Sequence, residues 1–371
     1  MLYVPHKHLY ISDASYVSSD EPDYKEVITD ANSRRRMGRL LKMAVWCGLK
    51  SLDGVPSERV AGIITSTGAG FMKDTISFGS SIFDREETLL NPSPFMQSTF
   101  NTASGYIALI RKIHAYNTTY VQQADGFAAS LVDAAMLLDD AGEGNVVLVG
   151  AFDEVTPEVD VIRQRLGLYR VGDGFLPLGE GAAAFLLSAA MPTDVSGSCR
   201  ATESSTGFGG DDVESDSVQS GDEAGSESAS ERGGDANSDC STRHLHESES
   251  ASWPCDESGS ESSSEPLHES GGTSSRSLNG TKDGNAALRF CGLANLSDLP
   301  KCAENPLAEL FGINAGVNVI SCADHVESLG AFRSLLPVLL CKLISEQKIP
   351  DGYTAIMDDV NEDGVIILLH K

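Results

Sequence analysis

The chain has 371 residues, 27 Lys and Arg against 54 Asp and Glu, and a formal net charge of −27. That balance speaks against nucleic acid as the main partner, since phosphate binding needs a local excess of cations. No run of 18 apolar residues is present to span a membrane, and Met1 to His6 lack the basic and apolar regions of a secretory signal.

Residues 2–11 read as a short strand. Asn32-Ser33-Arg34-Arg35-Arg36-Met37-Gly38-Arg39 then leads into an apolar run at helical spacing from Leu40 to Leu52, with Ser33 as the expected N-cap. The Arg cluster reads as a solvated helix face or as a docking surface for an acidic partner protein. Val60 to Thr65 predicts a buried strand running into Gly68-Ala69-Gly70. That segment reads as a turn, because no Lys-Ser/Thr follows as a phosphate loop would need. Asn91-Pro92-Ser93-Pro94 predicts another turn, Tyr106 to Ala115 a helix and Thr118 to Val121 a strand. Phe127 to Leu138 is apolar on most faces, which predicts a buried helix. Asn145 to Gly150 predicts a buried strand, and a helix feeding such a strand implies a βαβ unit in a parallel or mixed sheet. Ala182 to Leu187 predicts a further strand.

Residues 196–285 break this pattern. They hold 19 acidic and 5 basic residues, a net of −14, with 24 Ser and 13 Gly among 90 positions. So polar a segment cannot bury enough apolar surface to offset its ordering entropy, and a disordered insert is expected over 191–285. Beyond it, Ala287 to Leu293 and Asn318 to Ser321 predict strands, Asn305 to Phe311 a helix ended by Gly312, Ser328 to Ile344 a long apolar helix, and Val365 to His370 a buried strand. The eight Cys are scattered without a CxxC pair, so no metal site or cofactor is expected and reduced thiols in a cytoplasm are the default.

The span from Asn101 to Glu154 resembles the β-ketoacyl synthase family of condensing enzymes. Asn101-Thr102-Ala103-Ser104-Gly105-Tyr106-Ile107-Ala108, Ser130-Leu131-Val132-Asp133-Ala134-Ala135 and Val146-Val147-Leu148-Val149-Gly150-Ala151 are similar to family segments in the family order. Asp173-Gly174-Phe175-Leu176-Pro177-Leu178-Gly179-Glu180-Gly181-Ala182-Ala183 resembles the family's Asp-Gly-Phe-x-x-Gly-Glu-Gly-Ala motif. Ala323-Asp324-His325-Val326-Glu327-Ser328-Leu329-Gly330-Ala331 is similar to its Thr-Gly-His-x-x-x-x-Gly-Ala segment. The resemblance implies an α/β thiolase-like fold of two similar halves, layered α-β-α-β-α. It divides the chain into an N-terminal half at 1–190, the insert at 191–285 and an abbreviated C-terminal half at 286–371.

The family holds its acyl chain on a Cys at the start of a buried helix. There the helix dipole lowers the thiol pKa and backbone N–H groups stabilise the oxyanion. The resemblance places Phe127 at that position, and no Cys occurs between Cys47 and Cys199. Reaching Phe127 from Gln123, a residue type some relatives carry there, needs a four-residue slip. The first family His maps onto Cys291, the second survives as His325, and Glu180 reads as a structural residue. The family's Gly-Phe-Gly-Gly turn becomes the acidic Asp358 to Gly364. A benzyl group cannot attack a thioester. The leading expectation is therefore a non-condensing, chain-length-factor-like protein of fatty-acid or polyketide-type synthesis, in a branch associated with aryl-polyene or pigment chains. It would pair with an active β-ketoacyl synthase, or with itself, and meet an acyl carrier protein at Arg34, Arg35, Arg36 and Arg39. Two alternatives stand beside it: an active enzyme using Ser130 or Cys322 as nucleophile, and an interaction protein working through its acidic insert.

Overall fold

The computed structural model describes residues 2–122, 125–142, 144–191, 287–361 and 364–371. The acidic insert beyond Met191, Gln123, Cys199, Cys240, Cys255 and Glu362-Asp363 lie outside the described residues. From the start the chain forms β1 (Leu2–Tyr3), β2 (Leu9–Val17), α1 (Ala31–Arg36), α2 (Arg39–Ser51), β3 (Val60–Ser66), α3 (Met72–Asp84) and α4 (Pro92–Ser98). There follow α5 (Thr102–Arg111), β4 (Tyr116–Tyr120), α6 (Asp125–Ala141), β5 (Val146–Asp153), α7 (Pro157–Leu166), a small hairpin of β6 (Arg170–Val171) and β7 (Gly174–Phe175), and β8 (Gly181–Ser188). The C-terminal part holds β9 (Arg289–Asn295), α8 (Pro306–Phe311), β10 (Val317–Ser321), α9 (Val326–Leu329), α10 (Leu335–Ser345), β11 (Tyr353–Met357) and β12 (Val365–His370).

One sheet carries the order β10-β11-β12-β9-β2-β8-β5-β3-β4, with β1 added beside β9. It is mixed: β3 runs parallel to β4 and β5, and β10 parallel to β11, while β8 is antiparallel to β2 and β5. The two sheets expected of the layered fold are joined at a short seam, where Leu9 pairs with Phe290 and Tyr10 with Arg289. The layers follow from which faces are apolar. Leu41, Val45 and Leu49 of α2 and Ile107 of α5 cover the outer face of the N-terminal strands. The inner faces of both sets of strands enclose one core with α6 and α10, among them Leu131, Leu138, Val149, Phe185, Leu339 and Ile367. Leu307 of α8 covers Ile366 and Leu368 on the outer face of the C-terminal strands. The sequence Leu335-Leu336-Pro337-Val338-Leu339-Leu340 is apolar all round, which fits a helix enclosed between layers; Pro337 falls in its first turn, where no intrahelical N–H is needed.

Several elements differ from the sequence expectation. The first strand is two, interrupted at Pro5, which cannot donate to a ladder. The N-cap of α2 is Gly38 and not Ser33, which lies inside the separate α1, where the Asp30 carboxylate caps it by accepting from Ser33 N at 2.8 Å. The Asn91 to Pro94 turn is the start of α4, with Asn91 capping Ser93 N at 3.0 Å. The long helix expected from Ser328 to Ile344 is split into α9 and α10 at Gly330, whose φ of +77° ends the first piece. Helix α7 was signalled by Thr156, Pro157 and Gly167, an N-cap, an N1 proline and a left-handed C-cap.

The two family-like motifs dovetail. Gly179 N donates to Ala331 O at 3.2 Å, and Ala331 N to Pro177 O at 2.7 Å. A Cβ on Gly179 would lie 1.8 Å from Leu329 O, and one on Gly330 would lie 2.2 Å from Gly179 N. The two glycines permit a backbone contact between the N-terminal and C-terminal parts that no side chain would allow. No helix among the described residues is long and apolar enough to cross a membrane.

Candidate functional site

Parallel strands β3, β4 and β5 end on the side where α6 begins, the edge at which open α/β sheets place their sites. The start of α6 lies close over these ends. A Cβ on Gly126 would stand 3.6 Å from Tyr120 O and 3.7 Å from Ser66 Cβ. Phe127 occupies the first turn, buried, with its ring edge-on to Phe185 at 5.9 Å between centroids and 84° between planes. The helix end whose dipole would favour a thiolate thus carries a benzyl group locked into the central core.

Neither alternative nucleophile is set up for attack. Ser130 is fully buried, and its hydroxyl donates to Phe127 O at 2.7 Å, one turn back on the same helix. Cys322 is fully buried, and desolvation, followed by the nearby Asp358 and Asp359, pushes its thiol well above the usual range. Burial likewise raises the thiols of Cys47 and Cys341. A raised pKa keeps a thiol protonated, the reverse of what a nucleophile needs.

Cys291 is not brought together with Phe127. The β9–β12 register pairs Phe290 with Leu369 and Gly292 with Leu368, so Cys291 is the extra residue of a β-bulge. Its side chain packs with the outer Leu307 core, whereas Phe127 and Phe290 belong to the central one. His325 closes the turn after β10 and is partly exposed. Its backbone N donates to Cys322 O at 3.0 Å and its carbonyl accepts from Ser328, and among the described residues its imidazole makes no hydrogen bond.

A buried polar cluster fills the space where the acidic turn meets the ends of β3 and β5. Asp153 closes β5 and is buried. Its Oδ1 accepts from Thr67 Oγ1 at 3.0 Å, Gly68 N at 2.9 Å and Ala69 N at 3.1 Å, and its Oδ2 accepts from Ser334 Oγ at 2.6 Å. Desolvation outweighs these donors and raises its pKa. Tyr169 OH donates to Asn361 Oδ1 at 2.8 Å, and Arg333 donates to the same oxygen at 3.5 Å while lying 5.9 Å over the Tyr169 ring. Asn361 in turn donates to Asp358 Oδ2 at 2.8 Å. Burial raises the pKa of both Tyr169 and Asp358. Asp359 accepts from Ser321 Oγ at 2.6 Å and Ala323 N at 2.9 Å. In this turn the carboxylates serve as acceptors for neighbouring loops, which gives the cluster a joining role.

The Arg cluster is largely engaged. Arg39 pairs with Glu21 and with Glu180. Glu180 Oε2 also accepts from Val155 N at 3.3 Å, which gives it the structural role read from the sequence. Arg34 donates to Ile28 O, and Arg35 to Asn32 Oδ1 at 2.7 Å. Arg36 is exposed. Arg34, Arg35 and Lys42 share the lining of a cavity of about 320 Å³ with Glu21 and Asp23.

Residues 13–171 match the family model of the beta-ketoacyl synthase, N-terminal domain. No curated protein matches the chain. Among solved structures it is similar to the ishigamide ketosynthase/chain length factor, at 12% identity and a TM-score of 0.56, covering 98% of this chain and 99% of that one. A type II polyketide synthase acyl-carrier protein in complex with its ketosynthase bound to the hexaketide gives 12% identity and a TM-score of 0.54, over 98% and 99%. The ketosynthase in complex with its chain length factor from Xenorhabdus doucetiae matches at 17% identity and a TM-score of 0.37, over 49% of this chain and 79% of that one. The chain is ketosynthase-like, with the layered thiolase-like fold of ketosynthase and chain-length-factor structures.

Proposed function

We propose that the protein is a non-condensing, chain-length-factor-like partner of a Cys-bearing β-ketoacyl-acyl-carrier-protein synthase in polyketide-type or aryl-polyene-type synthesis. The observation that carries this reading is Phe127. In the first turn of α6, where the resemblance places the nucleophile, the side chain is a buried aromatic packed on Phe185. The structures it resembles include a ketosynthase/chain length factor and a ketosynthase in complex with its acyl-carrier protein. On this reading 1–190 and 286–371 are the two halves of the fold, and the protein works in the cytoplasm.

The surface supports a protein partner. Strand β4 is the edge of the sheet, and Tyr116 on it is exposed. On the neighbouring α3, α4 and α5, Phe83, Phe95, Met96 and Leu109 are exposed. Apolar side chains beside an open strand edge are the pattern of a face that another subunit covers. Carrier-protein docking at Arg34 to Arg39 belongs to the same proposal, with Arg36 the residue open to contact. Affinity purification of the full chain from its own cell tests the reading. A Cys-bearing synthase recovered in 1:1 ratio supports it, and recovery of this chain alone, or paired only with itself, contradicts the heterodimer.

A further inference from the structure

Away from the central core, a cavity of about 470 Å³ opens on the outer side of the C-terminal strands. That volume lies in the range of small-molecule sites. Arg289 and Cys291 of β9 line it together with Lys7 and His8, and Val4, Phe311 and Ile313 supply apolar walls. The cavity has no Asp or Glu among its described lining residues, in a chain whose net charge is −27.

The cations are not equivalent. Lys7 is held by Asp139, its Nζ lying 2.7 Å from the carbonyl oxygen and 3.7 Å from Oδ1. Arg289 has no carboxylate partner among the described residues; its NH1 lies 3.3 Å from Nδ1 of His8. A guanidinium only donates, so Nδ1 accepts and the ring carries its hydrogen on Nε2, which adds a second donor. The bulge at Cys291 is a further mark of a built wall, because bulges occur where a strand re-aims a side chain beside a site.

The geometry points to a binding site for a small amphipathic anion: a carboxylate or phosphate monoester on a compact apolar body. The anion sits on Arg289 and His8, where the planar guanidinium fork matches either headgroup. The body lies against Val4, Phe311 and Ile313. This site is separate from the Phe127 region and does not depend on whether the chain condenses.

The test titrates the full chain with octanoate, octyl phosphate and the uncharged control 1-octanol. The readouts are calorimetry and N-ethylmaleimide labelling of Cys291, mapped by peptide mass with exposed Cys302 as internal reference. At least one anion is expected to bind 1:1 and to slow Cys291 labelling without slowing Cys302, and the tighter of the two identifies the headgroup. Octanol gives no such protection. Arg289→Gln weakens anion binding by about tenfold or more, and His8→Ala, at an exposed residue, weakens it less while leaving the fold intact. The proposal is overturned if neither anion protects Cys291, if octanol protects equally, or if both variants bind like wild type.

Discussion

In the N-terminal part of the sheet, five strands stand in the order β4-β3-β5-β8-β2, with β4 and β5 both parallel to β3. In the C-terminal part, four stand in the order β10-β11-β12-β9, and β10 lies directly beside β11. Strands β4 and β10 each precede an inner helix, α6 or α10, and each part closes on an antiparallel strand, β8 against β5 and β12 against β11. Among the described residues, the C-terminal part has no counterpart of β3. The shortage reaches the outer layer. Helices α2 and α5 cover the N-terminal strands with a broad core, while the six-residue α8 shelters a core of Leu307, Ala355, Ile366 and Leu368. The lesson is that the part with the smaller outer core is held by what the larger one offers it: a shared inner core, the Gly179–Gly330 contact, and the bond from Ser334 to Asp153.

The sharpest way to break that arrangement is at the glycine contact. Gly330→Ala combines an unfavourable φ with a backbone clash, and a loss above about 4 kcal/mol is expected. Gly352→Ala, at φ +89° but with nothing within 4 Å, isolates the conformational part alone and should cost only about 1 kcal/mol. Urea unfolding of both variants checks this, and equal losses would show that the close approach is not what joins the parts.

The two outer cores form the next test. Leu41→Ala in the N-terminal layer should cost about 4 kcal/mol, and Leu307→Ala under the short α8 about 2 kcal/mol, because a small layer relaxes more readily. A larger loss at Leu307 would reverse the ranking of the two parts.

Asp153 comes third. Asp153→Ala leaves four donors without their acceptor, two on buried residues and two on partly buried ones, with an expected cost of about 3 kcal/mol. Asp153→Asn keeps Oδ1 and lets the Ser334 hydroxyl accept, so it should stay within about 1 kcal/mol of wild type.

The smallest effect is in pH. A carboxyl raised in the folded state binds more protons there than in the unfolded chain. Its contribution is fully present below the unfolded value of about 3.9 and is lost as pH rises through the folded value. Asp153 and Asp358 both have that direction. Asp153→Asn should therefore flatten the fall in stability as pH rises above about 4. An unchanged slope in urea melts from acid to neutral pH would remove Asp153 from this account.

Much of the fold was legible because apolar patterning is local. Val146 to Gly150, Val365 to His370 and the apolar stretch after Phe127 can be read without knowing what they touch. Helix α3 was not, since Thr75, Gly79, Ser80 and Ser81 weaken its helix propensity, and none of its residues is buried in the structure. The break at Gly330 was hidden too, because it answers to Gly179, some 150 positions earlier. For the site, the aromatic residue at the start of α6 was visible, since Phe127 and the lack of a Cys near it are read directly from the sequence. The distance of Cys291 from it was not, because a one-residue bulge turns that side chain to the other face of the sheet. The cluster of Asp153, Tyr169, Arg333, Ser334 and Asn361 was missed altogether. Its members come from four loops, and the one signal was a carboxylate at the end of a buried strand.

The central claim is that the scaffold keeps the helix start of a condensing enzyme while its side chain can hold no acyl group. Intact-mass measurement after incubation with an acyl-loaded carrier protein, for this chain alone and mixed with a Cys-bearing synthase, tests it most directly. The account predicts an acyl adduct on the synthase and none on this chain in either sample. A stoichiometric acyl adduct on this chain would contradict it.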